Sequence, residues 1–208
     1  MIFRDRAAAG RYLAEKLAAY KDSGALVLAL PRGGVPVALE VARALGAALD
    51  VFVVRKLGVP GHEELAMGAI ASGGLRVLNE ETIAQLHIDS ETVHAVTAAE
   101  LAELRRREAL YRDGRPAPDV HGKTVMVIDD GLATGASMYA AILALRTAKP
   151  QKIVVAVPVA PAETCASLAR EVDEIVCAAT PEPFRGVGAW YDDFRQISDE
   201  EVREMLRG

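Results

Sequence analysis

The stretch Lys123 to Tyr139, KTVMVIDDGLATGASMY, decides how the rest of the chain is read. Thr124-Val125-Met126-Val127-Ile128 is a short apolar run rich in β-branched residues, with Gly122 before it and Asp129-Asp130-Gly131 after it, as in a buried parallel strand. The two carboxylates therefore stand at the strand's carboxyl end. Met138, Ile142 and Leu145 then recur at helical spacing, so Ala133-Thr134-Gly135-Ala136-Ser137 is the turn that opens a helix. A turn of small residues at a helix N-terminus gathers backbone N–H groups at the positive end of the macrodipole, which favours a phosphate. Thr134 and Ser137 add hydroxyl donors. Two carboxylates beside such a cradle would repel a bare phosphate, so they suit hydroxyl groups or a hydrated cation. A sugar phosphate with a vicinal diol meets both requirements; the plainer alternative is an ordinary strand-to-helix turn with an Asp cap.

Asp5 can cap a first helix whose Ala9, Leu13, Leu17 and Tyr20 mark an apolar face, and the segments that follow repeat the strand-loop-helix order. Ala25 to Leu30 is an apolar strand, broken by Pro31-Arg32-Gly33-Gly34 before the helix that begins near Pro36 and ends at Gly46. That loop is a second candidate anion site, with the charge of Arg32 and the exposed N–H groups of Gly33 and Gly34. Asp50 to Val54 reads as a buried strand with Arg55-Lys56 at its carboxyl end. Gly58 to Glu64 reads as a mobile polar loop, in which Glu63 and Glu64 are candidate participants. Met67 to Ala71 and Leu75 to Leu78 flank Ser72-Gly73-Gly74 as a hairpin. Residues 80–118 read as an inserted helical arm, with Asn79 capping a short helix, Asp89 a longer one, and Arg105-Arg106-Arg107 on a solvated face. Lys152 to Val159 and Glu174 to Cys177 are the remaining strands, and Pro161 starts the helix between them. Residues 180–208 form a tail that gathers Phe184, Trp190, Tyr191 and Phe194 and ends in a helix with the capping box Ser198-x-x-Glu201. Strand and helix alternate, so the expected fold is α/β with a doubly wound, mostly parallel sheet.

With 208 residues, 51% of them hydrophobic, the chain suffices for one domain over residues 1–208, with the arm and tail as appendages. A net charge of −5 argues against nucleic-acid binding. His62, His87, His94 and His121 lack zinc-ligand spacing. No apolar run reaches membrane-spanning length, and Met1 to Arg6 lacks the apolar segment of a signal peptide, so a cytoplasmic protein is expected. Cys165 and Cys177, too few for a disulfide framework, are read as buried thiols in a reducing compartment. The missing Gly-Lys-Ser/Thr excludes a Walker loop.

VIDDGLATGAS resembles the phosphoribosyl pyrophosphate (PRPP) binding motif of type I phosphoribosyltransferases. The resemblance implies that Asp129 and Asp130 take the ribose 2′- and 3′-hydroxyls and that Ala133, Thr134, Gly135, Ala136 and Ser137 take the 5′-phosphate. PRGG is similar to the family's pyrophosphate loop, which assigns Arg32 and Gly33, and VVRKLG resembles a segment of adenine and xanthine phosphoribosyltransferases in which Lys56 would contact pyrophosphate. Asp129, Asp130 and Lys56 are then the catalytic candidates. Mg²⁺ is the implied cofactor, carried by PRPP without a direct protein ligand and reached by Asp129 and Asp130 at most through water. The tail would form a hood over the base. There Trp190 and Tyr191 would either stack on a heterocycle or pack the terminus onto the core. The implied reaction transfers the phosphoribosyl group to a nitrogenous base; a non-catalytic PRPP-binding regulator, on the same fold, is the alternative. A homodimer is expected. Ala133 stands where 6-oxopurine enzymes carry an acid, which weakens a hypoxanthine or guanine assignment.

Overall fold

The computed structural model describes residues 2–207, apart from the side chains of Glu63 and Glu64. The first half of the chain runs through α1 (Arg6–Lys16), β1 (Leu26–Ala29), α2 (Gly34–Leu45), β2 (Ala48–Val51), β3 (Val54–Val59), β4 (His62–Ala71), β5 (Leu75–Leu78), α3 (Glu80–Gln85) and α4 (Ser90–Arg112). The second half adds β6 (Thr124–Ile128), α5 (Ala136–Thr147), β7 (Lys152–Val159), α6 (Ala162–Leu168), β8 (Glu174–Ala179) and α7 (Asp199–Arg207). Side-chain caps start several helices where the sequence placed them. Asp5 accepts from Ala8 N at 2.7 Å, Asn79 from Thr82 N at 3.0 Å and Asp89 from Thr92 N at 2.7 Å. At α7 the box is reciprocal, Ser198 N donating to Glu201 at 2.9 Å and Glu201 N to Ser198 Oγ at 3.2 Å.

Five strands form a parallel sheet in the order β2-β1-β6-β7-β8, and three form an antiparallel sheet, β3-β4-β5. Successive residues of a strand point to opposite faces. Val27, Ala29, Met126 and Ile128 thus meet Leu13, Val41 and Leu45 of α1 and α2, while Leu28, Val125 and Val127 meet Met138, Ile142 and Leu145 of α5. Both faces are covered, which is why these strands are apolar throughout; each fully buried Leu, Ile or Val contributes about 1.5–3 kcal/mol. The chain runs from β1 to β2 on one side and returns on the other as β6, a switch point where such sheets leave a crevice at the strand ends. Ala29 lies opposite Ile128, so the loops after β1 and β6 leave the sheet side by side.

Three expectations are corrected. Asp50 to Val54 is not one strand: β2 stops at Val51, and Val53 N donates to Ser72 Oγ at 2.9 Å while Val53 O accepts from Ser72 N at 2.9 Å, which turns the chain into the second sheet. Gly58 to Glu64 is not a free loop, because β3 and β4 pair as far as Val59 opposite His62, with a register shift at Gly58 and the turn at Pro60-Gly61. The Gly and Pro that suggested a loop serve the bulge and the turn instead. The side chains of Glu63 and Glu64 lie outside the described residues. Finally, Cys165 and Cys177 are bonded to each other, since α6 packs on β8 and brings their Cα atoms to 6.7 Å; a pairing this local needs no framework of further cysteines.

The long helix α4 lies against β3, β4 and α7. Its last residue, Arg112, is 2% exposed and donates to Asp50 at 2.9 Å, to Glu108, to Val51 O at 2.6 Å and to Ser72 Oγ at 3.3 Å. Val51 and Ser72 among these acceptors sit at the two roots of the β3-β4-β5 hairpin sheet. Among the described residues no helix is long and apolar enough to cross a membrane.

Candidate active site

The site is built from the two loops that the switch point brings together. Their approach is backbone against backbone: a Cβ on Gly34 would lie 2.7 Å from Ile128 O and 2.9 Å from Asp129 Cα, and a Cβ on Gly33 would lie 2.0 Å from Asp130 Oδ2. Only glycine fits at either position. Gly34→Ala is accordingly expected to force the loops apart and lower stability by about 1–3 kcal/mol, the usual range for overpacking. Thermal unfolding checks it, and a midpoint equal to the wild type's would show that the loops can separate freely.

Beyond β6, the residues Gly131 to Met138, with Asp129 and Val187, wall a cavity of about 230 Å³. Gly135 caps α5 at φ +75° and offers no side chain, so the first turn of the helix is open to an anion. Ala133, Thr134, Ala136 and Ser137 are exposed there. The loop is backed by α6, where Thr164 Oγ1 donates to Ala133 O at 2.9 Å. On the other side of the acid pair, Arg32, Gly33, Asp130 and Arg6 line a second cavity of about 390 Å³. The Asp129–Asp130 peptide thus divides the two spaces, with one carboxyl lining each.

The acids differ in their partners. Asp129 accepts from Asp130 N at 2.8 Å, while Asp130 takes Arg6 Nε at 2.7 Å and its carbonyl takes the Tyr191 hydroxyl at 2.5 Å. Burial, and then the charge of Asp130, push the Asp129 carboxyl well above the usual carboxylate range. Burial raises Asp130 as well, against the opposing pull of Arg6. Burial, and next the charge of Asp130, also push the Tyr191 phenol up, which keeps it a donor.

The remaining candidates are distributed around this centre. Arg32 reaches Asp199 at 3.7 Å, with both side chains about a third exposed. Lys56 is not at the end of β2 but on β3, where it lines an apolar cavity of about 530 Å³ between the hairpin sheet and α5, shared with Ala136 of the loop after β6 and with Tyr139. Its neighbour Arg55 pairs with Glu100 of α4 at 2.6 Å. Tyr191 is 6% exposed and packs between Phe3 and Phe194, so its ring belongs to the core beneath the acid pair. Trp190 stacks on Phe184 at 6.5 Å, and its Nε1 is buried without a hydrogen-bond partner among the described residues. Arg6 was not singled out by the sequence reading. Its only local signal is a cation in the first turn of a helix that has no acid there, an unfavourable placement for the helix dipole.

A doubly wound α/β protein with an acid pair between two glycine-containing strand-to-helix loops is the class that this fold and site define. A family profile described as a phosphoribosyl transferase domain matches residues 3–176, and the chain belongs to that family. A provisionally named phosphoribosyl transferase of Mycobacterium tuberculosis, found in strains CDC 1551 and H37Rv, is 48% identical over 205 residues, covering 99% of this chain and 46% of its own. The chain therefore spans about half the length of the curated relatives it matches. The crystal structure of TT1426 from Thermus thermophilus is 44% identical, with a TM-score of 0.90 over 99% of this chain and 98% of that one. A Neisseria gonorrhoeae protein solved with bound ppGpp shares the fold at 13% identity and a TM-score of 0.51, over 100% of this chain and 97% of that one.

Proposed function

We propose that the chain is a Mg²⁺-dependent enzyme that transfers the 5-phosphoribosyl group of PRPP to a nitrogenous base, purine or pyrimidine, and releases pyrophosphate. What carries this reading is the position of the Asp129–Asp130 peptide between an anion cradle on one side and Arg32 with Gly33 on the other. PRPP has the same order of groups: a 5′-phosphate, a diol and a pyrophosphate. The backbone of Ala133 to Ser137 takes the phosphate, the two acids accept from the diol, and Arg32 and Lys56 neutralise the pyrophosphate. The acceptor nitrogen bonds to C1′ as the C1′–O bond to pyrophosphate breaks, with inversion. These groups position the reactants and neutralise charge rather than react.

Among the described residues no three or more His, Cys, Asp or Glu side chains are grouped as a metal cage. The cation of this reading is carried by the phosphates of PRPP and met by Asp129 and Asp130 through water. Held there, Mg²⁺ would lower the charge of the leaving group. For the base, Trp190 is a better stacking candidate than Tyr191, since it is the less buried and stands with Phe184 on the segment that brings Val187 to the phosphate loop.

A non-catalytic PRPP- or nucleotide-binding regulator is the second reading. It is favoured by the pairing of Asp130 with Arg6 and of Arg32 with Asp199 in the free protein, contacts that a ligand would have to share or displace. The test is PRPP with Mg²⁺ across a panel of bases, read as pyrophosphate release beside calorimetric PRPP binding. Release with one class of base is the expected result. Tight binding without release from any base favours the regulator, and absence of PRPP binding overturns both readings.

A further inference from the structure

Arg6 belongs to no motif, yet it is the most heavily anchored cation at the site. It is 8% exposed, its Nε donates to Asp130 Oδ2 at 2.7 Å, its Nη1 donates to Arg195 O at 2.9 Å, and its guanidinium lies 4.0 Å from the centre of the Phe194 ring. Burying a guanidinium is unfavourable unless it is paired, and a cation in the first turn opposes the helix dipole. Neither the helix nor burial accounts for an arginine here; the pair with Asp130 does. Oδ2 of Asp130 is boxed between Arg6 and the Cα of Gly33, where no Cβ would fit. The other oxygen, Oδ1, accepts from no other residue's side chain among the described residues.

We propose that Arg6 is a positioning residue for the ribose-hydroxyl site: it holds Asp130 by one carboxylate oxygen so that the other is presented to a ligand hydroxyl. The inference rests on the assignment of the acid pair to a ribose diol. It adds to that assignment the N-terminal helix and the segment around Phe194, which together hold the arginine in place.

The test compares ribose 5-phosphate with inorganic phosphate by calorimetry. Arg6 makes its hydrogen bonds and ion pair to Asp130 and Arg195, not to the Ala133–Ser137 cradle, so Arg6→Met is expected to weaken ribose 5-phosphate about tenfold, the loss of one charge-assisted hydrogen bond, and to leave inorganic phosphate unchanged. Arg6→Lys, which keeps the charge, should recover most of the loss. In an Asp130→Asn background Arg6→Met should have no further effect. If Arg6→Met does not fold, Phe194→Leu removes the face on which the guanidinium rests and should give the same selective loss at smaller size. Equal losses for both ligands, or additive losses in the Asp130→Asn background, would overturn the proposal while leaving the diol assignment standing. A wild-type protein that binds ribose 5-phosphate no more tightly than inorganic phosphate would overturn the diol assignment and this proposal with it.

Discussion

Arg112→Leu is expected to lower stability by about 3–5 kcal/mol, the range for removing one partner of a buried ion pair, and the melting midpoint by roughly 6–20 °C, at about 2–4 °C per kcal/mol for a chain of this size. The leucine would fill much of the space. It would leave Asp50 and Glu108, each less than a fifth exposed, without their cation and Val51 O without its donor. Arg112→Lys should recover only part of the loss, because one ammonium cannot reach acceptors spread over α4, β2 and the β4–β5 turn. The damage should also be local. Val51 and Ser72 are the roots of the hairpin sheet, so hydrogen exchange is expected to rise first in β3, β4 and β5, the strands that carry Lys56 over α5. A Leu variant that melts within a degree or two of the wild type would show that the hairpin sheet is held by its apolar contacts alone.

Arg112 also marks where the sequence stopped being legible. The centre of the fold could be read because its signals are contiguous: the β-branched run before Asp129, the small-residue turn and the helical spacing after it all fall within Lys123 to Tyr139. The caps at Asp5, Asn79, Asp89 and Ser198 were legible for the same reason, each being a contact over three residues. Contacts made over long separations were not. Arg6 and Asp130 are 124 residues apart and Tyr191 and Asp130 are 61 apart; nothing near Arg6 indicates its partner, and an aromatic cluster at a chain end looks alike whether it stacks on a ligand or holds a loop from behind. The break between Val51 and Val54 was hidden because the cause lies elsewhere, in Ser72 and Arg112, while the run itself stays apolar. The thiol pair failed on a different ground, since cysteine count and compartment bear on how many disulfides to expect but not on two cysteines that an adjacent helix and strand bring together.

Replacing both acids, Asp129→Asn with Asp130→Asn, is expected to weaken PRPP binding by about 3–6 kcal/mol, two charge-assisted hydrogen bonds at roughly 1.5–3 kcal/mol each, or on the order of 10²- to 10⁴-fold. The single variants should separate binding from stability. In Asp129→Asn the side-chain oxygen that accepts from Asp130 N is retained, while a charge that is both buried and beside another carboxylate is removed. Because the folded protein raises the Asp129 carboxyl well above its unfolded value, the native state binds a proton more tightly than the unfolded chain. Wild-type stability therefore declines as pH rises from the ordinary carboxylate range through the raised value. The Asn variant lacks that decline. Without ligand, Asp129→Asn should melt above the wild type, with the gap opening as pH rises above the ordinary carboxylate range, although it binds PRPP poorly. Asp130→Asn should gain less than Asp129→Asn, since the relief of a buried charge is offset by Arg6 then facing a neutral amide across a buried contact. Calorimetry and melting curves at pH 6 and pH 8 suffice. Unchanged PRPP affinity in the double variant would remove the acids from the sugar site, and an Asp129→Asn protein less stable than the wild type at pH 8 would show that the carboxylate is held there by attraction rather than kept for a ligand.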